Sequence, residues 1–340
     1  MEKVLLTGGI GFVSSHICRE LIKQGYQPVI VDAFIRYISP LKEKTTVNFQ
    51  ERFDGIIDKV IIERGFAHHF DTMYDIILRH QPAYIIHLAG LPLAKLPNLN
   101  VNEAKEGSID ATMNILSIVN KIHQQDKSYK LKRFVYTSSS MVYGNFSKDV
   151  VDETESTDPI EIYGTMKLGG EIVTKGLCRC FGINYAIVRP SAVYGALDNN
   201  YRVTQIFIEN AFFGKDINVN GKDERLDFTY VEDLASGFVL AMITPDAINQ
   251  TFNITGGDGR TLLEFAEIVK TYFPATKINV TERDAYRPKR GTLDISKARR
   301  LLAYSPQYHI EDGIDVCINY LKKKMGEKEK TEKTDEVEKV

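Results

Sequence analysis

Several things this chain has little of narrow the reading at once. Its 340 residues include only four cysteines, Cys18, Cys178, Cys180 and Cys317, which do not form a disulfide framework. Cys178 and Cys180 lie two apart on a predicted helix and face different sides, so they would not share a tetrahedral metal. Buried free thiols in a reducing compartment are expected, and no metal centre. No apolar run reaches the roughly 18 residues of a membrane span, so no membrane is expected as a partner. The chain starts on strand-like residues without a signal peptide, and a cytoplasmic location is the expectation. Lysine plus arginine (43) nearly balance aspartate plus glutamate (45), so nucleic acid is not expected either. There are no internal repeats. What is left is an ordinary globular composition, 43% hydrophobic, with length for two domains or one large domain and an appendage.

The stretch Val135 to Lys167 carries the chemistry. An apolar run, Arg133-Phe134-Val135-Tyr136, passes into Thr137-Ser138-Ser139-Ser140-Met141-Val142-Tyr143-Gly144, then through an acidic loop to Tyr163-Gly164-Thr165-Met166-Lys167. Tyr163 and Lys167 are at i and i+4 and share a helix face. For tyrosine to act as a base near neutral pH, its hydroxyl must be brought down from about 10, at a cost of about 4 kcal/mol. A neighbouring ammonium is one of the few groups able to do this. A second Tyr-x-x-x-Lys occurs at Tyr320 to Lys324 in the basic C-terminal run. Tyr163 differs from it in having the serine cluster upstream and a nucleotide signature at the N-terminus.

That signature is a strand (Lys3 to Thr7), a turn Gly8-Gly9-Ile10-Gly11-Phe12-Val13-Ser14, a helix (Ser15 to Gln24) and a strand (Pro28 to Asp32) ending in an acid. The order is that of a dinucleotide fingerprint. Gly8 permits the tight turn, Gly11 lets the backbone approach a pyrophosphate, and the helix N-terminus offers free N–H groups. Asp32 would accept hydrogen bonds from ribose hydroxyls and repel a 2′-phosphate, which favours NAD over NADP. Ser14 stands where the third glycine usually sits and is small enough to be tolerated.

Strand and helix then alternate. Strands are expected at Lys59 to Glu63, Ala83 to Ala89, Arg133 to Thr137 and Tyr185 to Arg189, and helices at Met73 to His80, Ala104 to Gln124 and Tyr163 to Phe181. This predicts an α/β fold, a Rossmann-like doubly wound parallel sheet with a smaller C-terminal α/β substrate lobe. Residues 1–189 would form the NAD-binding domain, with 227–256 returning to it. In that return, Phe228 to Val231 and Thr251 to Ile254 would be strands of the main sheet. Residues 190–226 and 257–321 would form the lobe. From Lys322 to the end, a lysine–glutamate tail would be disordered. Thr7, Asp32, His87, Ser139 and Arg189 fall at strand carboxyl ends, where such sheets bind ligands. His87 reads as a backbone-orienting residue. His68-His69 lack a third ligand and read as solvent-exposed.

With these motifs in place, the chain resembles an extended short-chain dehydrogenase/reductase of the nucleotide-sugar epimerase/dehydratase group, over residues 3 to about 321. Further matching segments are His87-Leu88-Ala89, Arg189-Pro190-Ser191-Ala192-Val193-Tyr194-Gly195, Asp227 to Asp233 and Asp294-Ile295-Ser296-Lys297-Ala298. The resemblance implies NAD held by Gly8, Gly11, Phe12, Val13, Asp32, Leu88, Ala89 and Lys167. It implies a nucleotide-diphosphate sugar as substrate, met by Ser140, Arg225 and Arg287, and a homodimer formed through the two long helices. The family's second phosphate-binding arginine would precede Asp227, where Leu226 stands; Arg225 is one residue early and would face the other way on a strand. Ala192 replaces the family's common asparagine.

The resemblance also bears on the reaction. Relatives that remove water carry an aspartate–glutamate pair at the positions of Ser140 and Met141, and the decarboxylases place a glutamate at the latter. A thioether transfers no proton, which disfavours both. The run Asp32 to Lys42 is similar to that of UDP-glucuronate 4-epimerases. The implied activity is NAD-dependent C4 epimerisation through a 4-keto sugar: Tyr163 as base, Lys167 lowering its pKa, Ser139 on the C4 oxygen. Ser138 and Ser140 also read as strand-end hydroxyls serving the backbone. Alternatives are an oxidoreductase that releases NADH, epimerisation at another carbon, and a non-catalytic NAD-binding regulator, against which the intact Ser139, Tyr163 and Lys167 argue. The loop Leu91 to Asn98 departs from the family's usual polar sequence, and Lys95 in it is a candidate for a carboxylate or phosphate.

Overall fold

Val4, Leu5 and Leu6 of Lys3–Thr7 (β1) are fully buried, as a strand covered on both faces requires. In the computed structural model, which describes residues 1–34, 49–90 and 101–337, six more strands join it. They are Gln27–Asp32 (β2), Ile61–Arg64 (β3), Tyr84–His87 (β4), Arg133–Thr137 (β5), Tyr185–Arg189 (β6) and Gln250–Asn253 (β7). All pairings are parallel, in the order β7-β6-β5-β4-β1-β2-β3. The segment 35–42 and the loop Leu91 to Asn98, with Lys95, lie outside the described residues.

The longer helices are Phe12–Lys23 (α1), Phe70–His80 (α2), Ala111–Gln125 (α3), Ile162–Phe181 (α4), Val203–Phe212 (α5), Val231–Ile243 (α6), Leu262–Tyr272 (α7) and Ile310–Val337 (α8). Alternate strand residues serve opposite faces. Leu6, Ile30, Ile86, Val135 and Val188 meet Ile17 and Leu21 of α1 and Leu234 and Phe238 of α6. Leu5, Val29, Ile85, Phe134 and Ile187 meet Met73 and Ile77 of α2, Ile115 and Val119 of α3, and Cys178 of α4. Each such fully buried aliphatic side chain contributes about 1.5–3 kcal/mol. No helix among the described residues is long and apolar enough to cross a membrane.

From β1 the chain runs outward to β2 and β3, then crosses to the other side for β4 through β7. The order therefore reverses between β1 and β4, where Thr7 lies beside His87. A reversal of this kind opens a crevice beyond the strand carboxyl ends.

The structure departs from the sequence expectations in four places. The helix expected over 104–124 is interrupted: Val101–Lys105 passes through a π turn, Glu106–Asp110, before α3. There Gly107 comes so near Gly90 that an added Cβ would lie 2.7 Å from the Gly90 Cα. Thr229–Tyr230 does not join the main sheet but pairs with Val193–Tyr194, because β7 already occupies the open edge of β6. Ile295, Ala298, Leu302 and Tyr304 pack into the main core with Phe238 and Phe252 rather than into the lobe. Their i, i+3, i+7 spacing gives Ser296–Leu302 one apolar stripe, and it faces the sheet. Finally, α8 continues through Lys322 to Val337 where disorder was expected. Lysine and glutamate are good helix formers, a preference that an argument from missing core residues overlooks.

Around the remaining lobe core, Phe207 of α5, Phe265 of α7 and Ile314 and Ile318 of α8 surround Tyr194 and Phe228. Ile217–Asn220 pairs with Ile278–Thr281, and Arg225–Asp227 with Gly259–Thr261.

Helix α4 lies against β5 with no room to spare. A Cβ at Gly170 would sit 1.9 Å from the Tyr136 hydroxyl oxygen and 2.8 Å from the Ser108 carbonyl oxygen. Gly170→Ala should therefore destabilise the fold by about 1–3 kcal/mol, read as a lower denaturation midpoint with unchanged slope. A midpoint equal to the parent's would show that α4 is free to retreat.

Candidate active site

Beyond the reversal lies a cavity of about 1540 Å³. Pockets for one small ligand hold about 300–1,000 Å³, so this one has space for two. Gly8, Gly11, Phe12, Val13, Asp32, Leu88 and Ala89 line one end, and Ser139, Ser140, Tyr163, Lys167 and Arg287 line the rest. The sequence thus placed these residues around one space. Thr7, His87 and Arg189 stand behind it.

At the first end the backbone forms a cradle. Gly8 has φ +68°, and a Cβ there would lie 3.0 Å from the Ala89 backbone. A Cβ on Gly11 would lie 3.1 Å from the Gly8 carbonyl oxygen, so only glycine leaves that surface open. Asp32 accepts from the Ile10 N–H (3.2 Å) and the Phe34 N–H (2.8 Å), which ties the glycine turn to the end of β2. Burial holds its carboxyl above the ordinary range despite these bonds. His87 Nδ1 is 2.6 Å from Thr7 Oγ1, which also accepts from the Ala89 N–H. Burial, and then the Lys167 charge, push His87 down to about 3, so it is neutral. His68 is only half-exposed and lines the cavity with His69 and Phe66, their rings 4.7–5.2 Å from that of Phe66. The expected solvent exposure holds for His69 alone, because Phe66 provides a surface on which both imidazoles pack.

The second end is built by the turn after β5 and the start of α4. Ser139 caps a short helical turn, Ser140–Tyr143, by accepting from the Met141 N–H at 3.2 Å. Glu161 caps α4, accepting from the Tyr163 and Gly164 N–H groups at 2.8 and 2.6 Å. Tyr163 is thereby fixed in the first turn, where the Ser139 side chain favours its ionised form. Lys167, one turn on, donates to the Thr137 carbonyl at 2.9 Å and lies 5.8 Å from the Tyr163 ring centre. Burial pulls this lysine down to about 8.

One expectation needs correcting. Burial raises the Tyr163 hydroxyl above its ordinary value, and the groups opposing this are Arg202 and Ser139. Lys167 is not among them, and its ammonium bonds the Thr137 carbonyl. Arg202, which no motif marks, lines the cavity and is itself held by Asp198 at 3.2 Å. Arg225 is also misplaced by the sequence reading: it donates to the Gly259 carbonyl, while Leu226 faces the cavity, as strand alternation requires. Arg287 lines the cavity beside Asp284, and next to it Arg290 presents an Nε with no hydrogen-bond partner. Burial draws the Arg290 guanidinium down to about 10. The cavity carboxylates among the described residues are Asp32, Glu103, Glu106, Glu224 and Asp284; none comes from the turn that carries Ser139. Met141 lines the cavity there.

Behind the turn is a buried polar network. Glu171 of α4 accepts two bonds from Arg189 of β6 (2.8 and 2.7 Å) and one from Ser138 (2.5 Å). Arg189 also donates to the Tyr143 hydroxyl at 2.9 Å. Sequence gave Arg189 as a strand-end candidate but offered no sign of Glu171.

A model of the NAD dependent epimerase/dehydratase family matches residues 4–255. This chain belongs to that family. NAD is its cofactor, and the glycine cradle with Asp32 beside it suits a dinucleotide. Among individual relatives of this family member, a putative UDP-glucose 4-epimerase of Methanocaldococcus jannaschii is 29% identical, covering 94% of this chain and 98% of the relative. A UDP-N-acetyl-alpha-D-glucosaminuronate decarboxylase of Bacillus cytotoxicus is 28% identical at the same coverage. The UDP-glucuronic acid 4-epimerase of Bacillus cereus, solved with UDP-glucuronic acid and NAD, superposes with a TM-score of 0.82 at 26% identity, over 94% of this chain and 99% of that one.

Removing Glu171 would leave Arg189 buried and unpaired. Burial alone would raise the Glu171 carboxyl, but the Arg189 hydrogen bonds and charge, with Ser138, hold it below the ordinary 4.5. Its stabilising contribution is therefore present above about 4.5 and lost as pH falls through the lower folded-state value. Glu171→Ala should cost about 3–5 kcal/mol near neutral pH by chemical denaturation, with the gap narrowing under acid. A gap that does not change with pH would mean that the pair is not what stabilises the parent.

Proposed function

We propose that this enzyme epimerises a nucleotide-diphosphate sugar at C4. The observation that carries the reading is Met141: the turn bearing Ser139 supplies the cavity with a thioether where elimination or decarboxylation would need a carboxyl. NAD supplies a hydride acceptor that can return the hydride to either face of the sugar. Tyr163, which lines the cavity with Ser139, takes the proton of the 4-hydroxyl and gives it back. Ser139 donates to the C4 oxygen as it becomes a carbonyl, aligned by the Met141 N–H that its Oγ accepts. Lys167 binds the cofactor ribose and keeps a positive charge next to Tyr163, and Arg202 adds a second cation on that side. Arg287 and Arg290 meet the diphosphate. The similarity to a 4-epimerase of UDP-glucuronic acid supports a uridine-linked sugar. We also propose a homodimer through α3 and α4, which expose Met113 (45%) and Ile172 (63%).

Purified protein given UDP-glucuronic acid or UDP-glucose should interconvert the C4 epimers with no net build-up of reduced nicotinamide. Steady NADH release would make it a dehydrogenase instead. Tyr163→Phe should lower kcat by about 10²–10⁴ with NAD still bound. Turnover near the parent level would remove Tyr163 from the mechanism.

A further inference from the structure

The second tyrosine–lysine pair of the sequence is not idle. On α8, Lys324 donates to both carboxylate oxygens of Glu51 (3.1 and 3.0 Å) and lies 3.1 Å from the Tyr320 hydroxyl, which also bonds Glu51. Lys324 and Glu51 are only 12% and 29% exposed, so this pair is less screened than a surface ion pair. Glu51 belongs to Phe49–Phe53, a helix of five residues. A helix that short does not hold its place by its own hydrogen bonds. Its position depends on what grips it from outside.

The next residue, Arg52, reaches into the cofactor end of the cavity. It donates to the Ile10 carbonyl inside the glycine turn (3.2 Å), and to the Leu197 carbonyl (3.2 Å) and Asn199 side chain across the cleft. Ile10 is the residue whose N–H bonds Asp32. One guanidinium thus joins the glycine turn to the loop at 197–199, and the helix that carries it is pinned by α8.

We propose that Tyr320 and Lys324 are positioning residues for NAD: by holding Glu51 they set Arg52, and Arg52 sets the glycine turn and the loop at 197–199. The C-terminal helix therefore governs how long the enzyme keeps its cofactor. This rests on the family's NAD dependence and not on which sugar carbon reacts, so it stands or falls apart from the C4 reading.

The test measures NAD release from the full-length enzyme by stopped-flow fluorescence. Tyr320→Phe with Lys324→Met should release NAD about tenfold faster, the equivalent of about 1.4 kcal/mol. Tyr320→Phe alone keeps the ring and removes one hydroxyl, and should shift release in the same direction. Lys324→Arg, which retains the charge and the reach to Glu51, should restore the parent rate. Arg52→Met should match the double variant, and adding Lys324→Met to it should change nothing more. Release within about twofold of the parent in the double variant overturns the proposal, as does a further loss on the Arg52→Met background.

Discussion

The bidentate bond between Arg189 and Glu171 fixes the relation on which the site depends. Ser139 comes from the end of β5 and Tyr163 from the start of α4, so their meeting requires a set height of the helix above the sheet. Apolar packing of α4 on Phe134 and Ile187 tolerates sliding by part of a turn, since dispersion has little direction. Two charged hydrogen bonds from a strand to a helix do not. Because Glu171 also takes the Ser138 hydroxyl, and Arg189 the Tyr143 hydroxyl, the same pair clamps both ends of the turn that presents Ser139.

The parts legible in the sequence are those with a short-range period or a local steric demand. The buried strands read as continuous apolar runs, and β1, β5 and β6 have the bounds expected from them. Gly8 and Gly11 were recognisable because a turn beside a helix start admits little else. The Ser139, Tyr163 and Lys167 set was legible because two of its members share a helix face and the third follows a strand end. The rest depends on long-range placement. Glu171 looks like any polar residue of a helix until β6 is beside it. Arg202 and Arg290 sit in irregular segments, where spacing carries no direction. Arg225 failed in the way its alternation foretold, and Lys324 falls in a stretch whose charged composition hides a helix that needs only one anchored turn.

The electrostatics of the site divide the work differently from the simple picture of a lysine acidifying a tyrosine. Lys167 is drawn down to about 8 by burial and turned toward a backbone carbonyl. Tyr163 is opposed in its burial by Arg202 from the facing loop. The charge environment of Tyr163 is thus shared between α4 and a segment that follows β6, and the geometry of the lobe enters the acidity of a residue at the start of α4.

Lys324 and Glu51 meet across 273 positions of sequence. At a synthesis rate of about 5–20 residues per second, Glu51 is added to the chain roughly 14–55 s before its partner. The glycine turn and β1 to β3 are thus synthesised first, and the contact between α8 and the Phe49–Phe53 helix has to wait until residue 324 has followed. The newly made chain passes through a period in which it has a dinucleotide cradle with one wall unsupported. The order of synthesis therefore separates the making of the cradle from the making of its brace.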